Sequence, residues 1–380
     1  NSRASIMKVY FDNAATTPLS DEVLQEMIPI LKDQFGNPSS THSFGRQVRS
    51  KIEIARRKVA SLIHSEPSEI CFTSGGTEAD NMAIRCSVQD LGVTHIITSK
   101  IEHHAVLHTA EEMAKKGIHV SFVQLDSLGG VDMNHLEELL QGNEKTLVSL
   151  MHANNEVGTL ISLKEVSALC RKYDALFHSD TVQTMGHYDF NLKELDLDFL
   201  TCSAHKLHGP KGVGFLYINQ KLSLNPMIFG GSQERNRRGG TENVYGIVGL
   251  AKALEEALTE VDSHHDHIQG LKTYMIEQLE ANIPGVDFNG DAKGESLYTV
   301  LNVSLPPSEK SEILLFSLDL MGIACSGGSA CSSGSDKGSH VLNGIGSNPN
   351  RPAIRFSFSK YNTKEEVDYA VSKLKEIYFN

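Results

Sequence analysis

Ser203-Ala204-His205-Lys206 closes an apolar run that reads as a strand, and Gly209-Pro210-Lys211-Gly212 reads as the turn behind it. A lone lysine there is usually a solvated surface residue, but a lysine amine is also the group that joins an aldehyde cofactor as a Schiff base. Asp180 ends an earlier strand-like run, where a carboxylate would keep a pyridine nitrogen protonated, and Gln183 stands within reach of a ring hydroxyl. By itself Asp180 reads equally as a helix cap or turn residue. Ser74-Gly75-Gly76-Thr77-Glu78 follows another strand and opens a helix, so unbonded backbone N–H groups and the Thr77 hydroxyl converge on a point suited to an anion. Alone it would be only a turn. Together, anion site, acid and lysine occupy the carboxyl ends of strands, where open sheets bind ligands.

Other candidates lie further along. Cys331 sits among Gly and Ser in Cys325-Ser326-Gly327-Gly328-Ser329-Ala330-Cys331-Ser332-Ser333-Gly334, unlike a core cysteine, and reads as an accessible nucleophilic thiol. Cys325 reads as a strand-end residue rather than a second relay thiol, and Cys71, between Ile70 and Phe72, as core. In Ala353-Ile354-Arg355-Phe356-Ser357-Phe358, alternation sets Arg355 opposite the apolar residues and makes its guanidinium available to a carboxylate, in preference to a structural ion pair. His264, His265 and His267 read as a solvated helix face rather than metal ligands, and no metal is expected. Arg235, Arg237 and Arg238 read as a cluster for a dimer contact or an acidic partner.

These residues need a scaffold. From Glu69 onward, strand-like runs (69–73, 95–99, 120–123, 146–151, 175–178, 199–203, 213–218) alternate with amphipathic stretches such as 105–116 and 163–173, which predicts an α/β fold with a mainly parallel sheet covered by helices. A helical pattern then runs from Thr241 to about Asn282, with a domain boundary placed inside it. Beyond it, strands near 298–303 and 353–358 and helices near 313–321 and 364–377 predict a smaller α+β domain. The division is 16–258 for the large domain and 7–15 with 259–380 for the small one, the latter carrying the cysteine loop at about 325–340. Residues 1–6 read as an added remnant before a natural start at Met7, and 326–339 as a mobile loop.

Composition narrows the class. Across 380 residues the net charge is -12, which argues against a protein that binds nucleic acid by neutralising phosphates. No stretch approaches a membrane span, and six scattered cysteines without a CxxC pair suit a reducing, cytoplasmic compartment.

The chain also resembles the cysteine desulfurases, nearly end to end. The resemblance is carried by Tyr10-Phe11-Asp12-Asn13-Ala14-Ala15-Thr16-Thr17-Pro18, Gly36-Asn37-Pro38-Ser39-Ser40, Gly76-Thr77-Glu78, Glu102-His103, Asn154-Asn155-Glu156, Ser203-Ala204-His205-Lys206 and Ser329-Ala330-Cys331. It implies the fold-type-I pyridoxal-phosphate architecture, with a cysteine loop like that of the group I enzymes of iron-sulfur assembly and nitrogenase maturation. It further implies that Lys206 bonds the cofactor and removes the substrate's α-proton, that Asp180 meets the pyridine nitrogen, that His103 stacks on the ring, and that Gln183 and Asn155 reach its edge. Gly76, Thr77, Ser203 and His205 would hold the phosphate, joined by Thr241 from the other subunit of a homodimer. Arg355, Asn37 and Asn155 would bind the carboxylate of L-cysteine, whose sulfur passes to Cys331 as a persulfide, leaving alanine, and then to an iron-sulfur scaffold or other acceptor. The rivals are another fold-type-I enzyme, such as an aminotransferase or selenocysteine lyase, a non-catalytic cofactor-binding partner of a scaffold protein, and a cofactor-free sulfurtransferase.

Overall fold

Runs rich in Val, Ile, Leu and Phe fold as strands buried on both faces, and the amphipathic stretches between them fold as covering helices. The computed structural model describes residues 5–327 and 338–380, so the expectations for Cys331 and for most of the 326–339 stretch fall outside the described residues. In chain order the elements are β1 (Val9–Tyr10), α1 (Asp21–Asp33), α2 (Ser43–Leu62), β2 (Ile70–Thr73), α3 (Gly76–Asp90), β3 (His95–Thr98), α4 (His104–Lys115), β4 (His119–Phe122), α5 (Met133–Leu140), β5 (Thr146–Ser149), α6 (Leu163–Lys172), β6 (Leu176–Asp180), β7 (Phe199–Ser203), β8 (Gly214–Ile218) and the single turn α7 (Gln233–Asn236). Then come α8 (Val244–Thr259), α9 (Val261–Asn282), β9 (Asp287–Asn289), β10 (Val300–Ser304), α10 (Leu314–Leu320), β11 (Ile323–Ala324), β12 (Ser326–Gly327), α11 (His340–Gly344), β13 (Ala353–Ser357) and α12 (Lys364–Phe379).

The main sheet has seven strands in the order β2-β8-β7-β6-β5-β3-β4. β7, β6, β5, β3 and β4 run parallel, while β8 runs against both its neighbours. The exception has a local cause. Between Ser203 and Gly214 there is only a 3-10 turn and the Gly-Pro-Lys-Gly turn, too little chain for the crossover that a parallel return requires. Gly214 lets the two strands close up, since a Cβ there would lie 2.3 Å from the Cys202 carbonyl oxygen.

One face of the sheet packs against α1, α2 and α8, where Val23, Ile52, Val59 and Leu250 meet Phe72, Val148, Phe177 and Leu200. On the other, Ala83 and Ile84 of α3 and Val106 of α4 meet Ile96, Leu147 and Leu216. A separate core joins Val9 and Phe11 to residues between Ile268 and Ile377, under the four-stranded sheet β12-β13-β10-β9. The helical run from Val244 breaks at Glu260 (φ -110°, ψ 16°), before which Leu254 belongs to the large core and after which Ile268 belongs to the small one. β1 pairs in parallel with β11, so the N-terminal segment is anchored in the small core before it crosses to the large sheet. No helix among the described residues is long and apolar enough to cross a membrane.

Candidate active site

Because β2, β6 and β7 point the same way, the residues that follow them gather at one edge of the sheet. They line a cleft of about 680 Å³, which is of the size that holds small-molecule ligands. Gly76, Thr77, His103, Asn155, Asp180, Gln183, Ser203, His205, Lys206 and Arg355 all line it. Asn37 and Thr241 do not. Asn37 is exposed in the loop between α1 and α2, where its Oδ1 accepts the Ser39 N–H at 2.9 Å, and Thr241 is exposed ahead of α8.

The N-terminal segment forms one wall. Lys206 Nζ donates to the carbonyls of Ala14 and Ala15, the latter at 3.0 Å, and Gln183 Nε2 donates to the Ala14 carbonyl at 3.2 Å. The Thr17 hydroxyl donates to the His205 carbonyl at 2.7 Å, and His205 Nδ1 lies 3.0 Å from Thr16 Oγ1. The Asp-Asn-Ala-Ala-Thr-Thr run therefore brackets the lysine and fixes the turn that carries it.

At the opposite end, Gly75 caps α3 with φ 154° and offers no side chain to its first N–H groups. A Cβ on Gly76 would come within 3.0 Å of Val182 Cγ2, so glycine lets the helix start close beside β6 and β7. Those N–H groups, with Thr77, Ser203 and His205, make a cradle for an anion. Burial holds the His205 imidazole at about 4, helped by Lys206 and Lys211, so it enters the cradle neutral. Glu78 is turned away: burial works to raise its pKa, but a two-pronged pair with Arg238 (3.1 and 2.9 Å) and the Ser74 N–H bring it below the usual carboxylate range. The arginine cluster is partly engaged within the chain, with Arg235 exposed. Arg238 is bound within its own chain, and Arg237 is largely buried against the Ile70 and Glu234 carbonyls.

The third region is acidic and dry. Asp180 is 5% exposed, accepts the Val182 N–H at 2.9 Å, and has its pKa raised by burial and by Asp80. Asp80, in α3, is 1% exposed and lines the same cleft. The sequence reading missed it; the available signal was an acid on the face that also carries Ala79 and Ala83. Glu102 is buried and pushed up to about 8, although it accepts the Ser99 hydroxyl (2.6 Å) and the Met151 N–H (2.7 Å). His103 caps α4, its Nδ1 accepting the Ala105 N–H at 3.1 Å; burial lowers its pKa against the pull of Asp180.

Arg355 corrects the expectation of an unengaged guanidinium. It donates to the Asn155 carbonyl (3.0 Å), Asp12 Oδ1 (3.1 Å) and Ser326 Oγ (3.2 Å), so ion pair and cleft wall coexist. Its buried Nε has no hydrogen-bond partner among the described residues. Cys325 packs partly buried against the small core and burial pushes its thiol up to about 12, as fits a strand-end residue and not a thiolate. The histidines of α9 are engaged separately: His264 with Glu260 (2.9 Å), His267 Nε2 with the Asn362 carbonyl (2.8 Å), and His265 edge-on to Tyr298. His265 and His267 are exposed and His264 is half-buried, so the row is the mostly solvated face expected, with these contacts added.

A cleft lined by a helix start without a side-chain cap, a buried acid and a lysine suits a flat cofactor with an anionic arm and a basic ring nitrogen. The profile of the Aminotransferase class-V family matches residues 9–370. Cysteine desulfurase IscS of Dictyoglomus turgidum is 46% identical over 378 residues, covering 97% of this chain and 94% of the relative. A solved NifS-like protein superposes with a TM-score of 0.91 at 40% identity over 98% of this chain and 99% of its own, and SspA, solved in complex with cysteine, with a TM-score of 0.81 at 31% identity over 94% and 100%.

Proposed function

This chain belongs to the class-V aminotransferase family and is a cysteine desulfurase, and from that premise we propose that it takes sulfur from L-cysteine onto Cys331 and releases alanine. The observation that carries the assignment of roles is the convergence of Lys206, Asp180, His103 and the start of α3 on one cleft. Pyridoxal phosphate bound there supplies an electron sink for the bond broken at the substrate's α-carbon.

The residues divide the work. Gly76, Thr77, Ser203 and His205 hold the phosphate; Asp180 faces the ring nitrogen; His103 lies against the ring, with Gln183 and Asn155 at its edge. Lys206 carries the cofactor and, released from it, moves the α-proton. Arg355, which lines the cleft, orients the substrate carboxylate together with Asn155 and Asn37. The Cys331 thiolate attacks the substrate's sulfur, the carbon–sulfur bond breaks, and the persulfide passes to an iron-sulfur scaffold or another acceptor.

The enzyme works as a homodimer in the cytoplasm. An apolar row on α1 and the loop after it, Leu24, Ile28, Leu31 and Phe35, with Phe44 on α2, supports a second copy as its cover, and Thr241 would complete the partner's phosphate site.

Two variants test the division of roles. Lys206→Ala should lose the protein-bound visible absorbance of the cofactor and lower alanine formation by roughly 10²–10⁴-fold, the range for removing a positioned proton-transfer group. Cys331→Ser should keep the absorbance and lose sulfur transfer. Alanine production at the original rate in Cys331→Ser would move the chemistry to a different thiol.

A further inference from the structure

Asp80 plays no part in the roles assigned above, yet its environment is unusual. It is 1% exposed in α3, its Oδ1 lacks a hydrogen-bond partner among the described residues, and Thr201 and Asp180 are the side chains within hydrogen-bonding reach of its carboxyl. The nearest basic group, His178 Nε2 at 3.3 Å, cannot serve as a counter-charge: burial holds His178 at about 4, and its nitrogens already face Thr201 Oγ1 (2.9 Å) and Ser149 Oγ (2.7 Å). Asp80, Asp180 and His103 bring their ligand atoms within 4.8 Å of one another, and the two carboxyls are close enough to hydrogen-bond. Carboxylates are acceptors only, so a bond between them requires a proton.

We propose that Asp80 is a positioning residue for Asp180: the two buried carboxyls share one proton, and through it Asp80 fixes the orientation of Asp180 and limits the pair to a single negative charge. This rests on the reading that Asp180 faces the cofactor's ring nitrogen. A ring N–H⁺ then meets Asp180 as carboxylate while Asp80 retains the proton, so no net charge is buried beneath the ring. Among the described residues, the charged or titratable groups facing the pair are His178 on β6, Cys202 on β7, His103 and Glu102 ahead of α4, and Lys206 beyond β7. None of these is placed to bond Asp80 as a cation.

The sign of the linkage follows from the raised titration of both carboxyls. A carboxyl raised on folding contributes stability that is complete below its unfolded pKa and is lost as pH rises through its folded one. The cofactor-free protein should therefore lose thermal stability between about pH 4 and pH 8.

The test is a double-mutant cycle on the cofactor-free full chain, with thermal midpoints followed across that range for the unsubstituted protein, Asp80→Asn, Asp180→Asn and the double variant. A shared proton predicts that the effects of the two single substitutions on the fall do not add up to that of the double variant, because the surviving carboxyl of each single variant stays raised by burial alone. Because Glu102 and His103 both feel the charge of Asp180, the same four proteins are also compared in a Glu102→Gln background, which removes the Glu102 contribution. Single effects that add up to that of the double variant would overturn the proposal. Should Asp80→Asn not fold, carbon-13 carboxyl spectra of the unsubstituted protein decide: a shared proton moves both aspartate signals through the same two steps, and independent single steps would overturn it. Titration of the four proteins with pyridoxal phosphate reports on the cofactor separately, so failure of the unsubstituted chain to bind it would sink that reading and leave the proton sharing to the cycle.

Discussion

A buried carboxyl is informative because burial, not sequence, sets its charge. Glu102 sits beside His103 in the chain, but its two oxygens accept the Ser99 hydroxyl and the Met151 N–H, and desolvation pushes it up to about 8. Since its ordinary value is near 4.5, the folded protein binds more protons than the unfolded chain between about pH 4.5 and pH 8, and its share of stability declines as pH rises through that window. Glu102→Gln should flatten the decline in the cofactor-free protein by up to about 1.4 kcal/mol per pH unit, measured by urea unfolding at several pH values; an unchanged slope would mean that Glu102 is ionised throughout. At this scale the sequence was half legible. Lys206, Asp180 and Gly76 declare themselves through strand ends and a helix start, whereas Asp80 does not, because helical periodicity places an acid on a buried face without saying what lies opposite. The ion pair of Arg238 was illegible for a similar reason: its partner Glu78 lies 160 positions away, and charge spacing along the chain carries no record of that pairing.

Among elements, the strands of the large sheet are recoverable because they are buried on both faces and read as unbroken apolar runs. The pairs β1 with β11 and β12 with β13 escape notice because two-residue strands have no period to detect. The turn α7 is another such feature. Glu234, Arg235 and Asn236 have φ of 50°, 55° and 63°, a left-handed course costing about 1–2 kcal/mol per residue. It is held by Glu234, which bonds the buried Arg56 through both oxygens (2.8 and 2.6 Å) and accepts the Phe72 N–H at 2.6 Å. Glu234→Ala should destabilise the protein by about 3–5 kcal/mol, the loss expected when a buried pair is broken. Urea unfolding would register it, and a loss under 1 kcal/mol would show that the turn forms without its anchor.

Over the whole molecule, the N-terminal segment links the small core to the cleft of the large sheet. Phe11 packs in the small core while Ala14 and Ala15 receive Lys206, so the cleft forms only where two cores meet. Sequence order conceals this closure, since residues near the start must pair with β11 and β13 near the end. Asn37 and Thr241 do not line the cleft among the described residues of their own chain. If Thr241 serves the neighbouring subunit, mixing Lys206→Ala with Thr241→Ala subunits should restore activity, because each hybrid dimer then holds one intact site; no restoration after exchange would return Thr241 to its own chain. The central claim is sulfur transfer to Cys331, and it is tested most directly by treating the enzyme with L-cysteine without reductant, then measuring the mass of the Cys331 peptide and the alanine formed in the same sample. One added sulfur on that peptide together with alanine is the predicted result, whereas alanine with an unmodified Cys331 peptide would contradict it.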